Sequence, residues 1–337
     1  MKTFKILSID GGGIKGLYSA RILQQFEENL QKENNDPDLR IVDYFDLICG
    51  TSTGGLIALA ISLRKPMVDI CDFYEKHGSK IFPSPNSFYR KYIRQTFFRG
   101  KYSDKYFKSV LTDFFGDHII GDSHSLLCIP AYDYTNSTYA LFKFDHKEGE
   151  LSRHNKLKYI DVALSTSAAP TYFPLAQIKE ENNSQYVDGG VWANNPSLVG
   201  FTEAIRDFVG ASNTYDSMQL LSVASLNINT GKPPMLRRQR SFIDWAGDLF
   251  DLSLIGQSEF CDFFLSTIIK KTNFPLEYVR IPSAEIAPQQ VSYISLDNAS
   301  IKSINLMKQQ SDDMYHRFKT DETIKEIFSS KKTYIIK

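Results

Sequence analysis

The chain has 337 residues, 42% of them hydrophobic, enough for one large domain or two ordinary ones with a sizeable core. Its 39 basic residues balance 39 acidic ones, so no global charge argues for a nucleic acid or an acidic substrate. The four cysteines, Cys49, Cys71, Cys128 and Cys261, are scattered without a Cys-x-x-Cys pair, which argues against a zinc site or a disulfide framework and fits a reducing compartment.

The N-terminal MKTFKILSID is not a secretory signal, because its apolar stretch is short and ends in Asp10. FKILSID (4–10) is nearly continuous in apolar character, as a strand buried on both faces is. Glycines follow at once. Gly11, Gly13 and Gly16 satisfy Gly-x-Gly-x-x-Gly, the dinucleotide fingerprint. The same backbone can instead present N–H groups to an oxyanion during acyl transfer. Leu17, Ile22, Leu23, Phe26 and Leu30 then recur at helical spacing, and NNDPD (34–38) breaks that helix.

YFDLICG (44–50) reads as a second strand and GGLIALAISL (54–63) as a second helix. Strand–turn–helix twice over predicts an α/β sheet that is at least partly parallel. The apolar segment from Leu47 to Leu63 is diluted by Gly, Ser and Thr, so it reads as buried strand and helix rather than a membrane span. Between the two lies Gly50-Thr51-Ser52-Thr53-Gly54, a Gly-x-Ser-x-Gly. A nucleophile on so sharp a turn needs small neighbours. The turn also puts the N–H of Thr53 at a helix N-terminus, where partial positive charge favours an oxyanion.

From Asn86 to Thr112 seven basic residues face one acid, with eight aromatic residues interleaved. Arg90, Lys91 and Arg94 are the core of a candidate patch for an anionic membrane or a nucleotide phosphate. The half around Phe107, Leu111 and Phe114 follows helical spacing and reads as core. Further strands are predicted at LLCIPAYDY (126–134), YALFKF (139–144), QYVDGG (185–190), MQLLSVASL (218–226) and EYVRI (277–281). Further helices are predicted over Ile70–Lys80, Ser103–Phe115, Tyr159–Ser167, Leu198–Phe208, Ser241–Ile269 and Ile301–Phe318. NTGKPPMLRRQR (229–240) reads as a hinge or loop.

A serine nucleophile needs a base. Of six histidines only His316 lies late enough for an α/β-hydrolase order, and its charged setting, DDMYHRF, reads as a solvated surface. Asp188 ends a short β-like run and is followed by two glycines, which leave its carboxylate uncrowded. With the serine turn and the glycine loop it is the stronger candidate.

Four blocks together resemble the patatin-like phospholipase family, in that family's order: DGGGIKG (10–16), GTSTGG (50–55), ALSTSAAPTYFP (163–174) and VDGG (187–190). Weaker similarity runs through YVRIP and SLDNAS (295–300), so it spans roughly Phe4 to Met314. Where the family often carries Gly-Thr-Gly after a late strand, this chain has ASLNINTG.

The resemblance implies a three-layer α/β/α sandwich with a largely parallel central sheet. It implies a single domain over 1–337, with catalytic motifs in 10–190 and a helical, sheet-completing part over 235–337. Ser52 is then the nucleophile and Asp188 its base, in a dyad without histidine. Gly11, Gly12 and Gly13 form the oxyanion hole together with Thr53, and Lys15 stands where the family has Arg or Lys.

The implied activity is phospholipase A-type hydrolysis of membrane lipid esters through an acyl-enzyme, with no metal and no organic cofactor. Some bacterial members of this size resemble cyclic-oligonucleotide effectors of antiviral signalling. The expected partners are therefore a phospholipid surface, a cyclic nucleotide activator and a second copy of the chain, and not a DNA or RNA polymer. The expected location is cytoplasmic, with peripheral contact at the inner membrane. An acyltransferase and a non-catalytic lipid- or nucleotide-binding module are the alternatives. The glycines then serve an oxyanion, since Asp36 and Asp38 fall in a broken loop and not at the strand end a dinucleotide fold requires.

Overall fold

β1 (Thr3–Ile9) is fully buried at Phe4, Ile6, Leu7 and Ile9, as its unbroken apolar run demands. A computed structural model of the chain describes residues 2–83, 101–148, 154–228 and 248–336, together with Met235, Arg238, Gln239 and Trp245. Seven further strands join β1: β2 (Leu47–Gly50), β3 (Leu126–Asp133), β4 (Thr138–Lys143), β5 (Ala176–Ile178), β6 (Ser184–Asp188), β7 (Ser217–Val223) and β8 (Leu276–Ile281). Pairing runs β5-β6-β3-β2-β1-β7-β8, with β4 added on β3. The neighbours from β3 through β2, β1 and β7 to β8 are parallel, while β4, β5 and β6 are antiparallel.

Helices cover both faces. In chain order they are α1 (Gly16–Asn34), α2 (Thr53–Ser62), α3 (Met67–Ile81), α4 (Asp104–Phe115) and α5 (Tyr159–Thr166). Then come the single turn α6 (Gly190–Ala193), α7 (Ser197–Asp207), α8 (Asp248–Lys271), α9 (Ile301–Phe318) and α10 (Glu322–Ser329). Alternation along β1 assigns the layers. Ser8 meets Ser197 of α7 at 2.9 Å, and Phe4 stacks on Phe208 just past that helix with 4.7 Å between ring centroids. Lys5 points the other way and donates to the carbonyls of Ile327 and Ser330 at the end of α10, at 2.6 and 2.7 Å. The result is a three-layer sandwich.

One detail of register matters more than the rest. At Cys128, β3 pairs with β2 on one edge and β4 on the other. At Ala131 it pairs with β6 and again with β4. β4 therefore occupies one edge throughout, and β2 and β6 share the opposite edge in tandem. β2 runs parallel to β3 and β6 antiparallel, so their C-terminal ends face each other across Ile129 and Pro130. An extended residue directs its N–H and C=O to the same edge. A proline fits here because no strand lies opposite to take an N–H.

The C-terminal ends of the parallel strands are tied by a buried ion pair. Arg280 of β8 reaches across β7 to Asp10, with Nη2 donating to Oδ2 at 2.6 Å and Nη1 to Oδ1 at 3.3 Å. Nη1 also donates to Ser222 Oγ of β7 at 2.6 Å. Burial pushes the Asp10 carboxyl up, and the guanidinium pulls it back toward its charged form.

The predicted strands and helices are found within a few residues of their expected bounds. Three elements were not anticipated: the three-residue β5, the single-turn α6 and the eight-residue α10. The first residues of the expected helix over Ser241–Ile269 and most of the 229–240 loop lie outside the described residues.

Arg280→Met is expected to destabilise the chain by about 3–5 kcal/mol, because it strands a buried carboxylate. Adding Asp10→Asn is expected to recover part of that loss. Urea unfolding of the two variants against the parent measures both.

Candidate active site

Ser52 stands between the end of β2 and the start of α2 with φ 55 and ψ −122, a backbone conformation that residues with a side chain rarely adopt. Its surroundings force that geometry. A Cβ on Gly54 would run into the carbonyl oxygens of Ile9 and Asp10, so the first turn of α2 packs directly on the end of β1. The Ser52 N–H donates to Thr166 Oγ1 at 3.0 Å, and Thr166 Oγ1 donates to the Pro130 carbonyl at 2.6 Å. One threonine thus pins the strained turn to the unpaired edge of β3.

Across that edge, Ser52 Oγ donates to Asp188 Oδ2 at 2.6 Å. The other carboxylate oxygen, Oδ1, accepts the Gly190 N–H at 2.7 Å. Asp188 is 2% exposed, and burial pushes its carboxyl up to about 7, with the hydrogen bonds from Ser52 and Gly190 opposing the rise. This departs from the weak base expected of an ordinary aspartate. Desolvation moves the carboxylate toward the basicity that proton abstraction near neutral pH requires.

The glycine loop divides into two parts. Gly11 donates its N–H to the Asn194 carbonyl at 3.0 Å, so that donor is committed and does not face an oxyanion. Gly12 and Gly13 line the cavity beside Ser52 and Asp188. Gly13 has φ 61 and lies against the Leu296 carbonyl, which accepts the Ile14 N–H at 2.9 Å. Thr53 also lines the cavity, at the first position of the ten-residue α2. Lys15 is buried, and burial pushes its ammonium down; Nζ donates to Asn227 Oδ1 at 3.0 Å. It ties the loop to the segment leaving β7, which is the ASLNINTG stretch where the chain departs from the family pattern.

The cavity has an empty volume of about 500 Å³, its open mouth included. Its apolar wall is built from Phe82, Phe107, Tyr172, Phe173, Phe250 and Leu254. No histidine is among the described lining residues, and His316 is exposed on α9. Among the described residues, His146, Glu203 and Asp207 bring three metal-capable groups within 4.8 Å. They do not line this cavity, and Lys143 already donates to Glu203 at 2.8 and 3.1 Å.

Arg90, Lys91 and Arg94 lie outside the described residues. In the described part of that stretch, from Lys101 onward, the rings of Tyr102 and Phe107 are buried and that of Tyr106 is half-buried. Phe107 walls the cavity, and Tyr102 donates to Asp297 at 2.7 Å beside the Lys101–Asp297 ion pair. Thr166, Asn194 and Arg280 were not singled out from the sequence. Thr166 sits within the small-residue block and Asn194 six residues past Asp188, so position relative to the motifs was the available signal.

Residues 7–199 match the family model described as patatin-like phospholipase. A cGAMP-activated phospholipase of Pseudomonas aeruginosa is 31% identical over 306 residues, covering 91% of this chain and 86% of that protein. A cGAMP-activated phospholipase of Vibrio cholerae is 30% identical over 317 residues, covering 89% of this chain and 87% of its own length. Patatin-like protein 2 of Arabidopsis thaliana is 30% identical over 342 residues, covering 92% of this chain and 82% of that one.

Thr166→Val keeps the side-chain volume and removes both hydrogen bonds at the turn. It is expected to cost about 1–3 kcal/mol for each buried group left unpaired. Thermal unfolding measures that loss, and a parallel fall in esterase rate is expected as Ser52 drifts from Asp188.

Proposed function

The chain belongs to the patatin-like phospholipase family, and from that premise we propose that Ser52 and Asp188 are the catalytic dyad of a single-domain lipid acyl hydrolase switched on by a cyclic nucleotide. The observation that carries the dyad is the 2.6 Å hydrogen bond from Ser52 Oγ to a buried carboxylate whose pKa lies near 7.

Ser52 Oγ attacks the ester carbonyl carbon as its proton passes to Asp188 Oδ2. The carbonyl oxygen becomes an oxyanion facing the N–H groups of Gly12, Gly13 and Thr53, with the N-terminal end of α2 adding partial positive charge. Collapse breaks the bond to the lysophospholipid oxygen, which leaves with the proton from Asp188. Water then attacks the acyl-serine and gives its proton to Asp188. The second collapse returns that proton to Ser52 Oγ and releases the fatty acid. The apolar cavity wall receives the acyl chain and excludes water, which strengthens each of these electrostatic terms.

Regulation by a cyclic nucleotide is supported by the two cGAMP-activated relatives, each aligned over nearly the whole of this chain. The same reading includes a cytoplasmic protein, consistent with four free and buried cysteines, that meets the inner membrane peripherally and assembles with other copies.

Ser52→Ala and Asp188→Asn are each expected to lower phospholipid hydrolysis by about 10⁴-fold or more while the fold is kept. His316→Ala is expected to leave the rate unchanged; a His316 variant as inactive as Ser52→Ala overturns the dyad. Mass spectrometry of the products separates hydrolysis, which releases free fatty acid and lysolipid, from acyl transfer to a second alcohol. Full activity without nucleotide, unaffected by a panel of cyclic di- and trinucleotides, removes the regulatory part of the reading.

The pH dependence follows from Asp188, whose carboxylate must be charged to act as base. As pH falls below about 7, kcat/KM is expected to drop about tenfold per unit. Stability moves in the opposite sense. A carboxyl raised from 3.8 to about 7 on folding contributes its full stabilisation below the lower value and loses it as pH rises through the upper one. Asp188→Asn should therefore match the parent's stability in acid and exceed it at pH 9, by an amount on the order of 4 kcal/mol.

A further inference from the structure

Helix α8 carries two apolar faces, and only one of them is covered. Leu254, Ser258, Cys261 and Leu265 are buried against the body of the protein. On the opposite side, at intervals of three and four residues, Leu249, Leu252, Gly256, Phe260 and Phe263 are exposed. Phe260 and Phe263 are 61% and 65% exposed, which is unusual for a ring of that size. Over Leu249–Lys271 the helix is long and apolar enough, by length and composition, to cross a membrane, yet only 22% of its most apolar window is buried.

It is not held as a spanning helix. Its inner face is fixed to the sandwich: Asn194 Nδ2 donates to the Leu254 carbonyl at 3.3 Å and to Ser258 Oγ at 3.0 Å, and Tyr278 of β8 donates to Asp262 at 2.8 Å. A helix anchored along one side and bare and aromatic along the other lies in a surface, not across it.

We propose that the outer face of α8 is the membrane-docking surface, seating the protein on a phospholipid bilayer with the cavity mouth beside it. The inference rests on the lipid acyl hydrolase reading above. Three observations select a bilayer as the occupant. The same helix supplies Phe250 and Leu254 to the cavity wall, so only the thickness of the helix, about 10 Å, separates whatever covers its outer face from the cavity. The exposed rings of Phe260, Phe263 and Phe264 are of the type that interfacial helices bury at the boundary of headgroups and acyl chains. The exposed Lys270 and Lys271 close the C-terminal end of the helix, where they meet anionic headgroups. A second copy seated on this face would instead cover the flank through which lipid has to pass. The surface differs from the Arg90–Arg94 patch that the sequence suggested.

The test separates docking from catalysis. Binding is read on the Ser52→Ala chain by flotation with vesicles of phosphatidylethanolamine and phosphatidylglycerol. A Gly256→Cys variant, labelled with an environment-sensitive fluorophore, reports the same contact; a Cβ there meets nothing within 4 Å, and the native cysteines are all buried. Docking predicts a blue shift of the label on vesicles. It also predicts a loss of about tenfold or more in vesicle partitioning for Phe260→Gln with Phe263→Gln, with far-ultraviolet circular dichroism unchanged. In the otherwise unaltered chain, those two substitutions are expected to spare hydrolysis of a soluble short-chain ester while vesicle hydrolysis falls in step with binding.

Flotation undiminished by the paired substitution, or an unshifted label, overturns the proposal. Dissociation of a dimer by the same substitutions, with vesicle binding kept, also overturns it and assigns the face to a second copy. Vesicle binding through this face by a chain that hydrolyses neither vesicles nor the soluble ester leaves docking standing and defeats the hydrolase reading. Hydrolysis of the soluble ester without vesicle binding does the reverse.

Discussion

The centre of this molecule depends on one edge of β3. Two strands cannot occupy the same stretch of an edge, and β4 fills the other side without interruption. β2 and β6 are therefore laid end to end with their C-termini converging, and the chain must leave the sheet at both. Each exit carries one member of the proposed dyad: Ser52 follows β2 and Asp188 is the last residue of β6. Hydroxyl and carboxylate meet because the backbone brings them together. No long flexible side chain has to search for its partner. Pro130 in the gap keeps the site from being closed by a ladder hydrogen bond, and its carbonyl is free to take the Thr166 hydroxyl.

That arrangement carries costs which the surrounding structure offsets. Ser52 sits at a positive φ, a strain of order 1–3 kcal/mol in such positions. Asp188 is buried, and among the described residues it is bonded by a hydroxyl and one backbone N–H and by no cation. The packing around them holds both in place. The Asp10–Arg280 pair fixes the start of the glycine loop, Asn194 takes the Gly11 N–H, and Lys15 binds the loop to Asn227. The unfavourable groups at the centre are those to which the proposed mechanism gives a chemical task, and the well-satisfied groups around them are structural, a distribution expected where stability is traded for activity.

The two ends of α8 and its two faces connect this centre to the outside. Its inner residues pack on the sandwich and wall the cavity, and its outer residues are bare. A lipid substrate lives in an interface and not in solution, so an enzyme that acts on it needs an apolar path from that interface to the nucleophile. On the proposal above, helix α8, with Phe250 and Leu254 in the cavity wall and Phe260 and Phe263 bare on its outer side, sets the cavity close to that interface.

Much of this was legible along the chain. The unbroken apolar run of β1, the strand–Gly-x-Ser-x-Gly–helix of the elbow and the Asp-Gly-Gly after a short strand are local patterns. Their causes are local too: burial on both faces, tight turns and steric room. They identified Ser52 and Asp188 as candidates and set the fold class. What lay beyond reach were facts about pairs of distant residues. β5 is three residues long and exists only because β6 is there to pair with it. Gly11, alike in sequence to Gly12 and Gly13, is spent on Asn194, a partner 183 positions away. The basicity of Asp188 is set by the absence of water, which depends on everything packed around it. Helix α8 was foreseen as part of a long helix over Ser241–Ile269, but periodicity cannot say which apolar residues are covered. Local sequence decides what each segment can become; the shared edge, the buried carboxylate and the bare helix face were decided only when the segments met, because registry, desolvation and exposure are properties of contacts and not of residues.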